Sequence, residues 1–433
     1  MRVHFTNLGC KLNQAEVERL ARDFAAAGHE VVGSLAEADL HVVNSCTVTG
    51  TAARGSRQAA GRGRGRVRTV LTGCWATERP EEAARLAGVD LVVPNAGKDH
   101  LLARVHEAFP EAVGRPHPRP SSPRPSSPAP SPPPSPGEEG EGRGVRGTRA
   151  LVKVEDGCNM RCAFCIIPFT RGAQRSRPLA EVVEEVEARV REGHQEVVVT
   201  GVQISAWRWE TDRLADLVRA ILARTGVPRL RLTSIAPWDL DERLLGLWSD
   251  RRLCRHLHLS LQSGATATLR RMRRPYTAES YLDLLARVRA AVPGVAVTTD
   301  VIAGFPGETE AEFAASLATV EAARFAKIHA FPFSARPGTE AAALPGQVSP
   351  EEKRERMDRL LAAAARAEQD FHRAHLGTRA TVLWERPRDG MGHGLTDNYL
   401  RVQCSAGAGL RNRFSEVDLV ALAADGVRGE IVA

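Results

Sequence analysis

The sequence predicts an α/β protein with three parts: an N-terminal doubly wound α/β domain, a central partial (β/α) barrel of six units, and a small C-terminal all-β module. Three observations carry that expectation. Apolar runs of strand length alternate with helical patterns over residues 1–109, and again from about 149 to 333. A proline-rich stretch separates the two series. The last segment, 377–433, alternates Val, Leu and Thr with glycine turns.

In the first domain, placed at 1–110, the predicted strands are Val3–Thr6, Leu40–Asn44, Val67–Thr72 and Leu91–Val93. Predicted helices start near Gln14, Thr47, Thr77 and Lys98. Residues 111–148 read as a Pro/Ser/Gly-rich linker. Eleven of the 21 residues from Pro116 to Pro136 are proline, and a Gly/Glu run from Gly137 to Gly144 follows. Such a composition cannot bury a core, so it reads as an extended spacer, with a ligand for a partner domain as the alternative. The barrel and its following helix are placed at 149–375. Its predicted strands are Ala150–Glu155, Glu196–Gly201, Arg229–Ser234, His256–Ser260, Val295–Ile302 and Lys327–Pro332, with helices such as Leu179–Glu192 and Ala278–Ala291 between them. Functional sites of such barrels collect at the carboxyl ends of the strands. A charged helix from Pro350 to about His375 leads into the β-rich module at 376–433.

The 433 residues carry a formal net charge of +7, which favours a polyanionic partner. Only five of the 59 basic residues are lysine, a bias that genome composition explains as readily as nucleic-acid binding. The N-terminus opens directly as a strand, with no signal peptide and no long apolar span. The expected location is therefore the cytoplasm, without membrane association, where thiols stay reduced.

The densest chemical signal is the run Cys158, Asn159, Met160, Arg161, Cys162, Ala163, Phe164, Cys165. Three thiolates at C-x₃-C-x₂-C spacing can hold three corners of a [4Fe–4S] cubane and leave one iron without a protein ligand. That iron can chelate the amino and carboxylate groups of S-adenosylmethionine. An electron passed to the sulfonium then releases a 5′-deoxyadenosyl radical. A zinc site would call for a fourth Cys or His nearby, and the next His after Cys165 is His194. Cys10, Cys46 and Cys74 each lie just past a predicted strand of the first domain, so a parallel sheet would converge them at one crevice. They read as a second cluster site, with three buried free cysteines as the alternative. Cys254 and Cys404 read as packing residues.

These residues resemble the radical S-adenosylmethionine methylthiotransferase family, over nearly the whole chain apart from the linker. The resemblance rests on Leu8 to Gln14, Asn44 to Thr49, Thr72 to Cys74, Glu155 to Pro168, Leu261 to Gly264 and Gly304 to Thr309. The wording Gly9-Cys10-Lys11-Leu12-Asn13-Gln14 is closest to the branch acting on threonylcarbamoyladenosine in tRNA. The resemblance implies a radical SAM barrel, a TRAM-like RNA-binding tail and two [4Fe–4S] clusters. It implies an auxiliary cluster on Cys10, Cys46 and Cys74, and a radical-generating one on Cys158, Cys162 and Cys165. It further implies methylthiolation at carbon-2 of the adenosine 3′ to the anticodon, with isopentenyladenosine tRNA or a ribosomal-protein aspartate as rival substrates. A non-catalytic iron–sulfur RNA-binding protein is the rival from another class. The expected partners are the tRNA anticodon stem-loop and a reductant such as a flavodoxin or ferredoxin. Two departures from the family pattern are the long linker and the glycines in Gly61 to Arg66.

Four residues are candidates for holding S-adenosylmethionine. Phe164 can pack on adenine or serve as loop core. Gln262, Gly304 and Gly307 follow barrel strands, where the glycines can admit a ligand or form a bare turn. A substrate carboxylate calls for an arginine, and Arg171, Arg175 and Arg177 are candidates, with structural or solvated charges as the alternative. For RNA phosphates the candidates are Arg54, Arg57, Arg62, Arg64, Arg66 and Arg68, in a stretch without Asp or Glu from Ser45 to Thr77, and the run Arg270 to Arg274. Tyr399 and Phe414 in the charge-neutral tail are candidate stacking groups.

Overall fold

A computed structural model describes residues 1–110, 147–405 and 409–432; the linker expected over 111–148 lies outside them except for its last two residues. The chain divides into two compact units. The first comprises Met1–Gly147 with Gly157–Asn159 and Ile166–Ala173, and the second holds Thr148–Asp156, Met160–Cys165 and Gln174–Ala433.

In the first unit β1 (Arg2–Asn7), β2 (Glu30–Val31), β3 (Leu40–Ser45), β4 (Arg68–Gly73) and β5 (Leu91–Val93) form one parallel sheet, in the order β2-β1-β3-β4-β5. Every residue of β3 is buried, which explains a sequence without period-two alternation. Val42 packs with Phe5, Leu20 and Phe24, while its neighbour Val43 packs with Ala59, Ala60 and Trp75. Successive side chains of a strand point to opposite faces, so both faces of the sheet are covered. Helices α1 (Lys11–Ala26), α2 (Gly50–Gly61) and α3 (Cys74–Glu78) follow β1, β3 and β4. The second of these starts three residues later than the sequence suggests, because the Thr49 hydroxyl accepts the Ala52 N–H at 3.1 Å and caps it. It ends at Gly61, and residues 62–66 form turns.

The second unit carries six parallel strands in sequence order: β6 (Arg149–Lys153), β7 (Glu196–Thr200), β8 (Leu230–Leu232), β9 (His256–His258), β10 (Ala296–Ala303) and β11 (Lys327–Pro332). The first three and the last three form two sheets, joined by bridges from Leu230 to Leu253 and from Ile235 to Leu259. A single apolar core runs through this partial barrel, from Val152 and Val197 to Leu257, Val297 and Ile328. The helix Pro350–Arg373 starts at a Ser349–Glu352 capping box and packs Leu360, Ala363 and Ala364 onto that core.

The tail folds as a closed five-stranded barrel: β12 (Arg379–Trp384), β13 (Gly392–Thr396), β14 (Arg401–Cys404), β15 (Phe414–Ala423) and β16 (Gly426–Ile431). Arginines of the larger barrel anchor it. Arg231 donates to Asp397 O at 2.9 Å and Arg229 to Leu395 O at 3.0 Å. The Glu196 carboxylate beneath them is fully buried and takes two bonds from Arg231, at 2.8 and 2.9 Å. Both candidate stacking rings belong to this junction, a correction to the sequence reading. The Tyr399 ring stacks on His256 with centroids 4.8 Å apart and lies under the Arg231 guanidinium, and Phe414 lies under Arg229. The Tyr399 ring is thus engaged by the protein's own groups, and Phe414 has one face taken by Arg229.

Candidate active site

β1, β3 and β4 are neighbours, and each is followed by a cysteine and a helix. Cys10 caps α1, Cys46 follows β3, and Cys74 is the first residue of α3. In an open sheet of order 2-1-3-4-5, ligands gather beyond the carboxyl ends, at the switch between β1 and β3. Ser45 pairs in register with Gly73, so Cys46 and Cys74 leave their strands at the same level. A Cβ on Gly9 would sit 2.6 Å from the Cys46 sulfur, so the turn bearing Cys10 lies directly against that thiol. Cys46 and Cys74 are buried and Cys10 is exposed, which opens the site on one side. Burial pushes the Cys46 thiol up to about 11; the Cys10 and Cys74 thiols push the same way, and the Arg171 guanidinium pulls against them. The N-terminus of the 16-residue α1 adds its dipole at Cys10, which favours a thiolate there.

Among the described residues no group of three or more His, Cys, Asp or Glu closes to the spacing of a single metal ion. Three thiols delivered by adjacent strands stand roughly one strand spacing of about 4.8 Å or more apart. A cubane, which holds its thiolates farther apart than one ion does, fits that arrangement.

The second cysteine run is a loop with few regular bonds. The Cys165 N–H donates to Cys162 O, the Cys158 N–H to Gly172 O, and the Ala163 N–H to Met272 O, each at 3.1 Å. Cys158, Cys162 and Cys165 are all partly exposed and free of disulfides. An open cavity at the carboxyl ends of the barrel strands is lined by Gln203, Ser234, Trp238, His258, Arg274 and Asp300 among others. His258 Nε2 meets Asp300 Oδ2 at 3.3 Å and its Nδ1 meets Thr298 Oγ1 at 3.0 Å. Burial works to raise the Asp300 pKa, and the His258 hydrogen bond and charge outweigh it, so Asp300 stays ionised below the usual range. Trp238 stacks on Tyr276, whose hydroxyl donates to Ser260 O and Leu261 O at 2.8 and 2.9 Å.

Residues 152–320 match the model of the radical SAM superfamily, and residues 2–94 match the model of the Uncharacterized protein family UPF0004. The threonylcarbamoyladenosine tRNA methylthiotransferase MtaB of Bacillus subtilis (strain 168) is 34% identical over 415 residues, covering 92% of this chain and 89% of that protein. The chain belongs to the radical SAM tRNA methylthiotransferases. A tRNA-2-methylthio-N(6)-dimethylallyladenosine synthase of Agrobacterium fabrum is 32% identical over 89% of this chain and 87% of its own length. The radical S-adenosylmethionine methyltransferase TsrM from Kitasatospora setae, solved with cobalamin and a [4Fe–4S] cluster, superposes with a TM-score of 0.57. It covers 79% of this chain and 77% of its own, and at 19% identity the likeness shows the fold alone.

A methylthiotransferase of this kind is an enzyme that works with S-adenosylmethionine and two [4Fe–4S] clusters, with tRNA as substrate. Two sets of three thiols match that number of clusters. Of the other candidate residues in this methylthiotransferase, Phe164 packs edge-on to Phe305, with centroids 6.3 Å apart. Gln262 has a left-handed backbone (φ +65°), its N–H bonded to Asp300 O and its carbonyl to the Ile302 N–H, both at 2.8 Å. The Gly304 N–H donates to the Glu308 carboxylate at 3.0 Å, and the Gly307 N–H to Gly346 O at 2.8 Å. The Gly304 N–H is thus engaged within its own loop, and the Gly307 N–H by the distant segment at Gly346.

The arginines sort sharply. Arg171 is buried on Glu16 at 2.9 Å, and Arg177 holds Glu185 at 2.5 Å, so neither is available to a substrate; Arg175 is exposed. In the second basic run Arg271 pairs with Glu312 at 2.7 Å and Arg273 with Glu340 at 2.6 Å. Arg274 instead lies over the rings of Phe164 and Trp238, at 5.7 and 5.6 Å, and lines the cavity. Sequence reasoning counted it among phosphate contacts; only the fold separates it from its neighbours.

Proposed function

We propose that the protein adds a methylthio group to carbon-2 of N6-threonylcarbamoyladenosine beside the tRNA anticodon. The observation that carries this reading is the trio Cys10, Cys46 and Cys74, brought by three adjacent strands to the switch point of a sheet that precedes a radical SAM barrel. In it, Cys10, Cys46 and Cys74 hold the auxiliary cluster, and Cys158, Cys162 and Cys165 hold the radical-generating one. When bound, the clusters supply the electron that cleaves S-adenosylmethionine and a site for the sulfur to be transferred. Phe164 and Trp238 position the Arg274 guanidinium at the cavity, where it can grip the threonylcarbamoyl carboxylate, and Arg175 is the exposed alternative. Gln262, Gly304 and Gly307 shape the loops around that cavity. Residues 1–110 serve as the auxiliary-cluster domain, 111–148 as linker, 149–375 as catalytic barrel with its helix, and 376–433 as the TRAM-like RNA-binding module. The reaction takes place in the cytoplasm with a reductant such as flavodoxin or ferredoxin; among the described residues no helix is long and apolar enough to cross a membrane.

Mass spectrometry of tRNA nucleosides from a deletion strain tests the substrate. Loss of the methylthio form of threonylcarbamoyladenosine, with its parent nucleoside retained, is the expected result. The relative from Agrobacterium fabrum favours the dimethylallyl nucleoside as second reading, and loss of that product instead would replace the first. Anaerobic protein with dithionite and S-adenosylmethionine should release 5′-deoxyadenosine. Full iron loading without that product would leave a non-catalytic iron–sulfur protein.

A further inference from the structure

Beneath the three early thiols lies a polar network sealed from solvent. Asn13, Glu16, Asn44, Lys98 and Arg171 are each no more than 3% exposed. Two cations share one carboxylate: Lys98 Nζ lies 2.7 Å from Glu16 Oε2, and Arg171 Nη1 lies 2.9 Å from Glu16 Oε1. Two asparagines relay this floor to the thiol turns. Asn13 Oδ1 accepts from Arg171 at 2.5 Å and stands 3.9 Å from the Cys10 sulfur, while its Nδ2 donates to Leu8 O and Ser45 O. Asn44, two residues before Cys46, accepts from Lys98 at 3.0 Å and donates to Asn13 O at 2.9 Å.

Bringing two cations into a dry site is costly unless fixed partners offset the lost hydration. A purely structural tie between α1 and the segment Ile166–Ala173 would need one ion pair. We infer that Lys98 and Arg171 are electrostatic positioning residues of the first thiol site, two buried cations braced on Glu16 that favour the more negative charge state of the cluster held by Cys10, Cys46 and Cys74. Each one-electron reduction adds a negative charge to a cluster already made anionic by its thiolates. Fixed positive charge in a low-dielectric surround therefore makes reduction easier. This inference rests on the proposed assignment of those three cysteines as ligands.

The test uses the full chain with Cys158, Cys162 and Cys165 all changed to Ala, so that only the early site can be loaded, followed by an EPR-monitored reductive titration. If this parent binds no iron, the ligand assignment fails and the charge argument with it. If it loads, Lys98→Met should move the midpoint to a more negative potential with iron content kept, and Lys98→Arg should leave it at the parent value. Glu16→Gln should move it the opposite way. A merely structural network would instead lower iron occupancy in all three variants without reversing the sign. Midpoints that stay at the parent value in loaded Lys98→Met and Glu16→Gln would overturn the inference. Should Lys98→Met fail to load, the direction of the Glu16→Gln shift decides alone.

Discussion

At the scale of single residues, the early thiol site depends on what is missing from Gly9. Its φ of +101° lies where side chains are strained, and a Cβ there would press on the Cys46 sulfur at 2.6 Å and its Cβ at 2.8 Å. Gly9→Ala should therefore displace the Cys10 turn from Cys46, at a cost above about 1 kcal/mol. Anaerobically reconstituted Gly9→Ala is expected to carry about half the iron of the wild type, because the second cysteine run is untouched. Full loading would show that the turn relaxes around the methyl. That Cys10, Cys46 and Cys74 follow three strands of one sheet was legible in the sequence, because strand ends are local patterns. The arginines were not. Arg171 meets Glu16 across 155 residues, and nothing near Arg171 announces a partner so distant. Arg274 differs from Arg271 and Arg273 only through Phe164 and Trp238, which other parts of the barrel supply.

At the scale of elements, the junction between the two barrels turns on β7 and β8. Glu196 opens β7, Arg231 stands between Leu230 and Leu232 in β8, and Arg229 precedes it; such charges look like half-exposed strand, yet all three are buried. The carboxylate explains why: burial alone would raise its pKa, and Arg231 first, then Arg149 and Arg229, overcome that and hold it at about 2. A folded-state value depressed from 4.5 means this stabilisation is fully present above pH 4.5 and is lost as pH falls towards 2. The amount is on the order of a few kcal/mol. Chemical denaturation of Glu196→Gln, followed by the fluorescence of Trp384 and its neighbours, should show lower stability than the wild type at neutral pH and a flatter dependence between pH 4.5 and 2. A wild-type profile that is flat across that window would remove the pair from the account. The same junction explains why Tyr399 misled: an aromatic in a small β-barrel looks like a base platform until an arginine is found stacked on it.

For the whole molecule, the excess of seven positive charges suits a tRNA substrate, and the ion pairs narrow where its phosphates can be met. The tail module carries seven arginines against seven acids, and the run from Arg270 to Arg274 is largely paired or stacked. Arg68 meets Asp90 at 3.3 Å and Arg57 lies over Trp75. Arg54 remains exposed in the first half of α2, and Arg62, Arg64 and Arg66 in the turns after it. A glycine between each pair of arginines from 61 to 66 ends the helix and presents those side chains from turns, so the departure from a basic helix keeps the charge while changing the backbone that holds it. Phosphate contact releases counterions, and each contact contributes roughly 0.7 to 0.9 to the slope of log K against log salt. Changing Arg62, Arg64 and Arg66 together to Ser should therefore weaken binding of an anticodon stem-loop and reduce that slope by about 2. Arg273→Ser, at an arginine already neutralised by Glu340, should leave the slope where it was. Fluorescence anisotropy across a potassium chloride series reads both variants. Equal slopes for the wild type and the triple variant would move the RNA footprint off the first unit, because a solvated surface charge that meets no phosphate has no counterion to release.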